Sequence, residues 1–147
     1  GVDISLANLV ECETRLRDCH GARFRGVHIP VHDPEVVLQR VREPVDFFLC
    51  TAVYQHFPSQ VYGERITRIA RQMLRPGGLA VIQTRFDDGS LQFGCKDRDY
   101  LRNAVTFTSY DLEAFGQLAE RCGLRVHHVD LEITTRYAFY LLQAMDD

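Results

Sequence analysis

Six residues, Val45 to Cys50 (VDFFLC), constrain the fold more than any other stretch. After Asp46 they run apolar without alternation, with Pro44 ahead of them and Thr51 behind. Parallel strands covered on both faces have this pattern, because a helix layer lies over each side and neither face meets water. The expectation is a buried strand in a parallel sheet with helices above and below. Open sheets of that kind bind ligands beyond the carboxyl ends of their strands, where this chain has Thr51, Ala52, Val53, Tyr54, Gln55 and His56. The alternative is an ordinary core strand followed by a loop whose aromatic and histidine side chains merely pack.

The flanking residues alternate in type around that strand. In GVDIS, Val2 and Ile4 flank an aspartate, as at the end of a strand, and Ser5 is placed to cap a helix. Leu6, Leu9, Val10 and Leu16 then share one helical face up to Cys19, and Gly21 closes the helix. Phe24 to Val31 reads as a second strand. The turn His32-Asp33-Pro34 follows, with Asp33 expected to cap a short helix through Val41, since proline suits a first helical position. After Ser59 a helix to about Leu74 turns Val61, Tyr62, Ile66, Ile69, Ala70, Met73 and Leu74 inward. Its stripe Arg65, Arg68, Arg71 and Arg75 reads as a solvated face.

Arg75-Pro76-Gly77-Gly78 is a stop signal, because proline cannot continue a helix and glycine tolerates positive φ. Leu79 to Thr84 is another apolar strand. The 24 residues from Arg85 to Thr108 exceed an ordinary connection and favour a binding loop or lid. Ser109 or Asp111 caps a helix with Leu112, Phe115, Leu118, Ala119 and Cys122 inward, closed by Gly123. Leu124 to Leu131 and Tyr137 to Ala144 pair as an antiparallel hairpin around Ile133 to Arg136. Such alternation predicts an α/β protein whose mostly parallel sheet ends in one reversed strand.

Composition narrows the partners. At 147 residues the chain has room for one domain, and no apolar run reaches the roughly 20 residues needed to cross a bilayer, so no membrane partner is expected. A net charge of -3 gives no general attraction to nucleic acid. The odd set Cys12, Cys19, Cys50, Cys95 and Cys122 suits reduced thiols in a cytoplasmic protein. Cys12, Cys19 and His20 lack zinc-site spacing, and no metal is expected.

The sequence resembles the class I S-adenosylmethionine-dependent methyltransferases, on four features. GVDIS (Gly1 to Ser5) is similar to the end of the family's second strand. VHDP (Val31 to Pro34) sits where the family places a residue near the adenine. VDFFLCTAVYQHFP (Val45 to Pro58) is similar to its fourth-strand motif. MLRPGGLAVIQT (Met73 to Thr84) is similar to the helix, turn and fifth strand that follow, and is the most specific of the four. The resemblance spans nearly the whole chain. It implies a Rossmann-like, doubly wound three-layer αβα domain that binds S-adenosyl-L-methionine.

The family's first strand and glycine-rich turn would precede Gly1, and no G-x-G-x-x-G occurs in this sequence. The resemblance therefore implies that roughly 50 to 100 residues before Gly1 are absent, judged from ordinary element lengths. It further implies that these 147 residues alone fold poorly and bind cofactor weakly or not at all, and it leaves room for other domains of a larger chain as partners.

By that resemblance Asp3, with Ile4 beside it, accepts the ribose hydroxyls, although Asp3 capping the helix together with Ser5 is the alternative. His32 or Asp33 lies near the adenine, and Thr51, Ala52 and Val53 line the methyl donor. His56 is placed to take a proton from an oxygen or nitrogen nucleophile near neutral pH, or else to shape the pocket. Tyr54, Gln55, Arg85, Asp87 and Asp88 are candidate contacts to a small-molecule substrate. The implied activity is methyl transfer to an O, N or C atom. Two other functions fit the same fold: a nicotinamide-dependent oxidoreductase, disfavoured because Lys96 is the only lysine available for a tyrosine-lysine pair, and a non-catalytic docking module within a multidomain enzyme.

Overall fold

The computed structural model describes residues 1–17, 19, 23–87 and 107–146. They form two compact units, Gly1–Glu43 and Pro44–Asp147. Of the five strand pairings among the described residues, three are parallel and two antiparallel. The architecture is mixed α/β, as the alternation of the sequence predicts.

The first unit holds β1 (Val2–Asp3), α1 (Leu6–Arg17), β2 (Val27–His28) and α2 (Val36–Arg40). β1 and β2 pair in parallel, Val2 with Val27 and Asp3 with His28. β2 is shorter than the expected Phe24 to Val31. α1 begins as GVDIS predicts: Ser5 Oγ accepts the Asn8 N–H at 3.3 Å, satisfying an amide that the first helical turn leaves unpaired. The inward face of α1 is narrower than its apolar spacing suggests. Leu9 is buried beside Gly26, where a Cβ would lie 3.3 Å from that of Leu9, while Leu6 and Val10 are exposed. Gly21, expected to close α1, lies outside the described residues. Asp33 is not the cap of α2. Glu35 occupies that position, and Asp33 contributes its backbone carbonyl to the Val36 N–H.

The second unit holds β3 (Val45–Cys50), a 3₁₀ turn (Tyr54–His56), α3 (Gln60–Met73), β4 (Leu74–Phe86), β5 (Ser109–Tyr110), α4 (Leu112–Arg121), β6 (Leu124–Glu132) and β7 (Tyr137–Ala144). Its sheet runs β3-β4-β7-β6, with β5 paired in parallel to the far end of β4. β6 and β7 form the expected hairpin, and Arg136 takes φ of +60° in its turn. The stop signal after α3 acts in an unforeseen way. β4 pairs with β3 at Leu74, loops out through Arg75 to Gly78, and resumes at Leu79 opposite Phe47. Gly77, at φ of +71°, makes that excursion possible. Ser59 and Asp111 cap α3 and α4, each accepting from the third residue beyond it.

The core lies on one face of this sheet. Ala80, Ile82, Leu142 and Tyr140 pack with Phe115, Leu118 and Ala119 of α4 and with Tyr54 and Tyr110. The opposite face departs from the expectation of a strand covered on both sides. Phe47 is 51% and Leu49 61% exposed, while the other β3 row, Phe48 and Cys50, packs against the core. β3 is an edge strand of the described sheet, as β6 is at its other end. No helix of the described residues is long and apolar enough to cross a membrane.

Candidate functional site

Parallel strands bring their carboxyl ends to one side, so each unit has a rim there. In the first unit the rim is Asp3, Ile4 and the residues after β2. The Asp3 carboxylate accepts from the Ser5 N–H at 2.6 Å through one oxygen and from the Asn8 amide at 3.3 Å through the other. Helix anchoring is therefore one role of Asp3. Each carboxylate oxygen has a second acceptor position, so vicinal hydroxyls fit the same group. Ile4 is exposed, and its carbonyl lies 3.0 Å from His28 Nε2. His28 escaped sequence reasoning because it looked like an ordinary strand residue. His32 and Asp33 are exposed in the turn that follows.

In the second unit the rim begins where β3 ends. Thr51, Ala52 and Val53 are exposed, small side chains at a position where a ligand can come close to the backbone. Ala52 has φ of +59°, a region that side chains with a Cβ rarely occupy. Its N–H donates to Gln83 Oε1 at 2.7 Å. The 3₁₀ turn follows, closed by the His56 N–H donating to Val53 O at 2.8 Å. It leaves the His56 side chain exposed, with its ring 5.8 Å from that of Phe107.

Tyr54 and Gln55, expected as substrate contacts, are both buried. Tyr54 is fully buried, its hydroxyl 2.9 Å from Thr67 Oγ1 and its ring against Phe57, Tyr110 and Phe115. Burial pushes its phenol well above the ordinary value. Gln55 is 3% exposed, and its carbonyl accepts from the Thr108 N–H at 2.9 Å. A 3₁₀ turn points successive side chains in different directions, so of the three residues in the turn His56 faces out.

Arg85 and Asp87 sit at and beyond the end of β4. The Arg85 guanidinium lies 4.6 Å from the Phe107 ring centre and 5.9 Å from that of Tyr137. The hairpin turn is tied to the same place by the Phe86 N–H donating to Arg136 O at 2.9 Å. Phe107 thus joins Arg85 to His56, a link across the long connection that local pattern cannot reveal. Asp87 donates its N–H to Tyr110 O. Asp88 and most of the expected Arg85 to Thr108 loop lie outside the described residues, as do His20, Cys95 and Lys96. Cys50, the last residue of β3, is no nucleophile: burial pushes its thiol up to about 12, so it stays protonated.

No family model matches this sequence, and no curated protein matches it. Solved structures do. The chain is similar to a "possible exported protein" from Bordetella parapertussis (TM-score 0.73, 13% identity, 99% of this chain and 53% of that one). It is similar to a SAM-dependent methyltransferase from Methanosarcina mazei (0.72, 13% identity, 100% and 82%). A third is an S-adenosylmethionine-dependent methyltransferase from Clostridium acetobutylicum (0.71, 12% identity, 99% and 74%). The chain spans about half the length of the first of these. At such identities the likeness establishes fold: the chain has the fold of S-adenosylmethionine-dependent methyltransferases.

Proposed function

We propose that the chain is a methyltransferase, a single doubly wound αβα domain that moves a methyl group from S-adenosyl-L-methionine to an O, N or C atom of a small molecule. The observation that carries this reading is the fold match, which spans 99–100% of the chain against two methyltransferases of that cofactor. Each unit by itself offers residues of suitable chemistry at its strand ends: a carboxylate with spare acceptor positions at Asp3 in the first, and small exposed side chains at Thr51, Ala52 and Val53 in the second. When bound, the cofactor supplies a methyl already activated by its sulfonium, so the protein's work is alignment and exclusion of water. Asp3 accepts from the ribose hydroxyls, with Ile4 beside it. His32 and Asp33 border the adenine, and Thr51 to Val53 line the reacting end.

His56 takes the proton that an oxygen or nitrogen acceptor loses as its bond to the methyl forms and the carbon–sulfur bond breaks. Arg85, held against Phe107 and Tyr137, orients the acceptor together with Asp87. No nucleic acid, membrane or metal is called for, and a cytoplasmic location suits the free thiols. The test is transfer of labelled methyl from S-adenosylmethionine to a panel of small hydroxyl and amine acceptors by the full chain. His56→Gln is expected to lower turnover about 10²-fold or more and to flatten its pH profile. Full turnover across pH in that variant removes the base, and absence of transfer to every acceptor in the panel removes the activity.

A further inference from the structure

We infer that Gln83, which neither the sequence pattern nor the fold match singles out, is a positioning residue for the rim after β3: it holds Ala52 in the left-handed region and so fixes the course of the chain from Thr51 to His56. This rests on the methyl-donor reading above. The last parallel pair between β3 and β4 is Cys50 with Ile82. One residue further along β4, the Gln83 side chain reaches across to the Ala52 N–H at 2.7 Å. It supplies by side chain the rung that the backbone ladder no longer makes. The amide orientation follows from the partner, since a backbone N–H can only donate and must meet the oxygen.

Two observations make this bond more than packing. Gln83 lies in the β4 row that faces away from the core, yet it is 6% exposed where its row-mate Leu79 is 39% exposed. Ala52 is not a glycine, so its φ of +59° opposes the preference of its own side chain and persists only if the surroundings impose it. The rim is thereby fixed at two points. Gln83 holds Ala52, and the buried Tyr54, bonded to Thr67, holds the next turn. Val53 and His56 are presented outward from them.

The test is a pair of variants and their combination in the full chain, read by the affinity for S-adenosylhomocysteine and by the denaturant midpoint. Gln83→Leu is expected to weaken binding tenfold or more. Ala52→Gly, which adopts positive φ without help, is expected to restore most of that loss when combined with it. Equal impairment of the single and double variants assigns Gln83 to packing and overturns the inference. If Gln83→Leu does not fold, Gln83→Asn, one methylene short of the Ala52 N–H, asks the same question. Weakened binding in a folded Gln83→Asn protein that Ala52→Gly restores supports the clamp, and unchanged affinity overturns it. A wild-type chain that binds no S-adenosylhomocysteine fails at the cofactor reading, and the inference falls with it. Failure of the clamp alone shows instead as a normal wild-type affinity with no coupling between positions 52 and 83.

Discussion

The two faces of the second unit's sheet differ sharply, although the same strands build both. On one face Ala80, Ile82 and Leu142 have no exposure and pack beneath Phe115 of α4, itself fully buried. On the other, Phe47, Leu49 and Leu79 are 39–61% exposed. Strand alternation explains how neighbouring residues come to such different surroundings. The unit's stability therefore resides on the helix-covered face, and the strand ends between the two faces are free to carry a rim for a ligand.

The covered face should break first. Phe115 makes ring contacts with Tyr54, Tyr110 and Tyr140 at 4.7–5.8 Å. Phe115→Ala is expected to cost about 3–5 kcal/mol in chemical denaturation, the range for emptying a large aromatic site in a core. A loss below about 1 kcal/mol would mean that α4 does not seal this face.

The same face should respond to alkali. Burial raises the Cys50 thiol from 9.0 to about 12 and, as the largest cause, the Tyr140 phenol from 10.0 to about 12. Both groups are acids kept neutral by the fold. The stability they contribute is fully present below the unfolded values and is lost as pH rises toward the folded ones. Denaturant midpoints are expected to hold steady up to about pH 9 and then fall through pH 12. In Cys50→Ala the fall should be shallower, with the Cys122 thiol, also raised from 9.0 by burial, and the Tyr140 phenol still contributing.

The smallest effect belongs to the open face. Leu49→Ser leaves the core row untouched, so its stability change should stay within about 0.5 kcal/mol. A larger loss would show that Leu49 is covered in solution.

The same contrast separates what can be read in the sequence from what cannot. The hairpin, α3, and α4 with a cap at Ser109 or Asp111 are legible because periodicity and capping chemistry are local. The open face of β3 is not legible. VDFFLC has the composition of a strand buried on both sides, but burial depends on what else packs there. Val61 misleads in the same way: it lies on the apolar arc of α3 yet is 76% exposed. β5 has no signal of its own, since two residues become a strand only by pairing with the end of β4. In the candidate site, the rim after β3 was legible from its position. Its division into buried Tyr54 and Gln55 and outward His56 was not, because that depends on a 3₁₀ turn. Gln83 and Phe107 act across 31 and 51 residues of chain, to Ala52 and His56, and no spacing rule links such pairs.

The central claim is a methyl-donor site that includes Asp3, and calorimetric titration of the full chain with S-adenosylhomocysteine tests it most directly when repeated on Asp3→Asn. Asparagine still offers one oxygen to the Ser5 N–H, so α1 keeps that bond while the carboxylate and its contact to the Asn8 amide are lost. The account predicts binding by the wild type, weaker than micromolar for these 147 residues, and a loss of tenfold or more in the variant. No binding by the wild type, or equal binding by both, would contradict it.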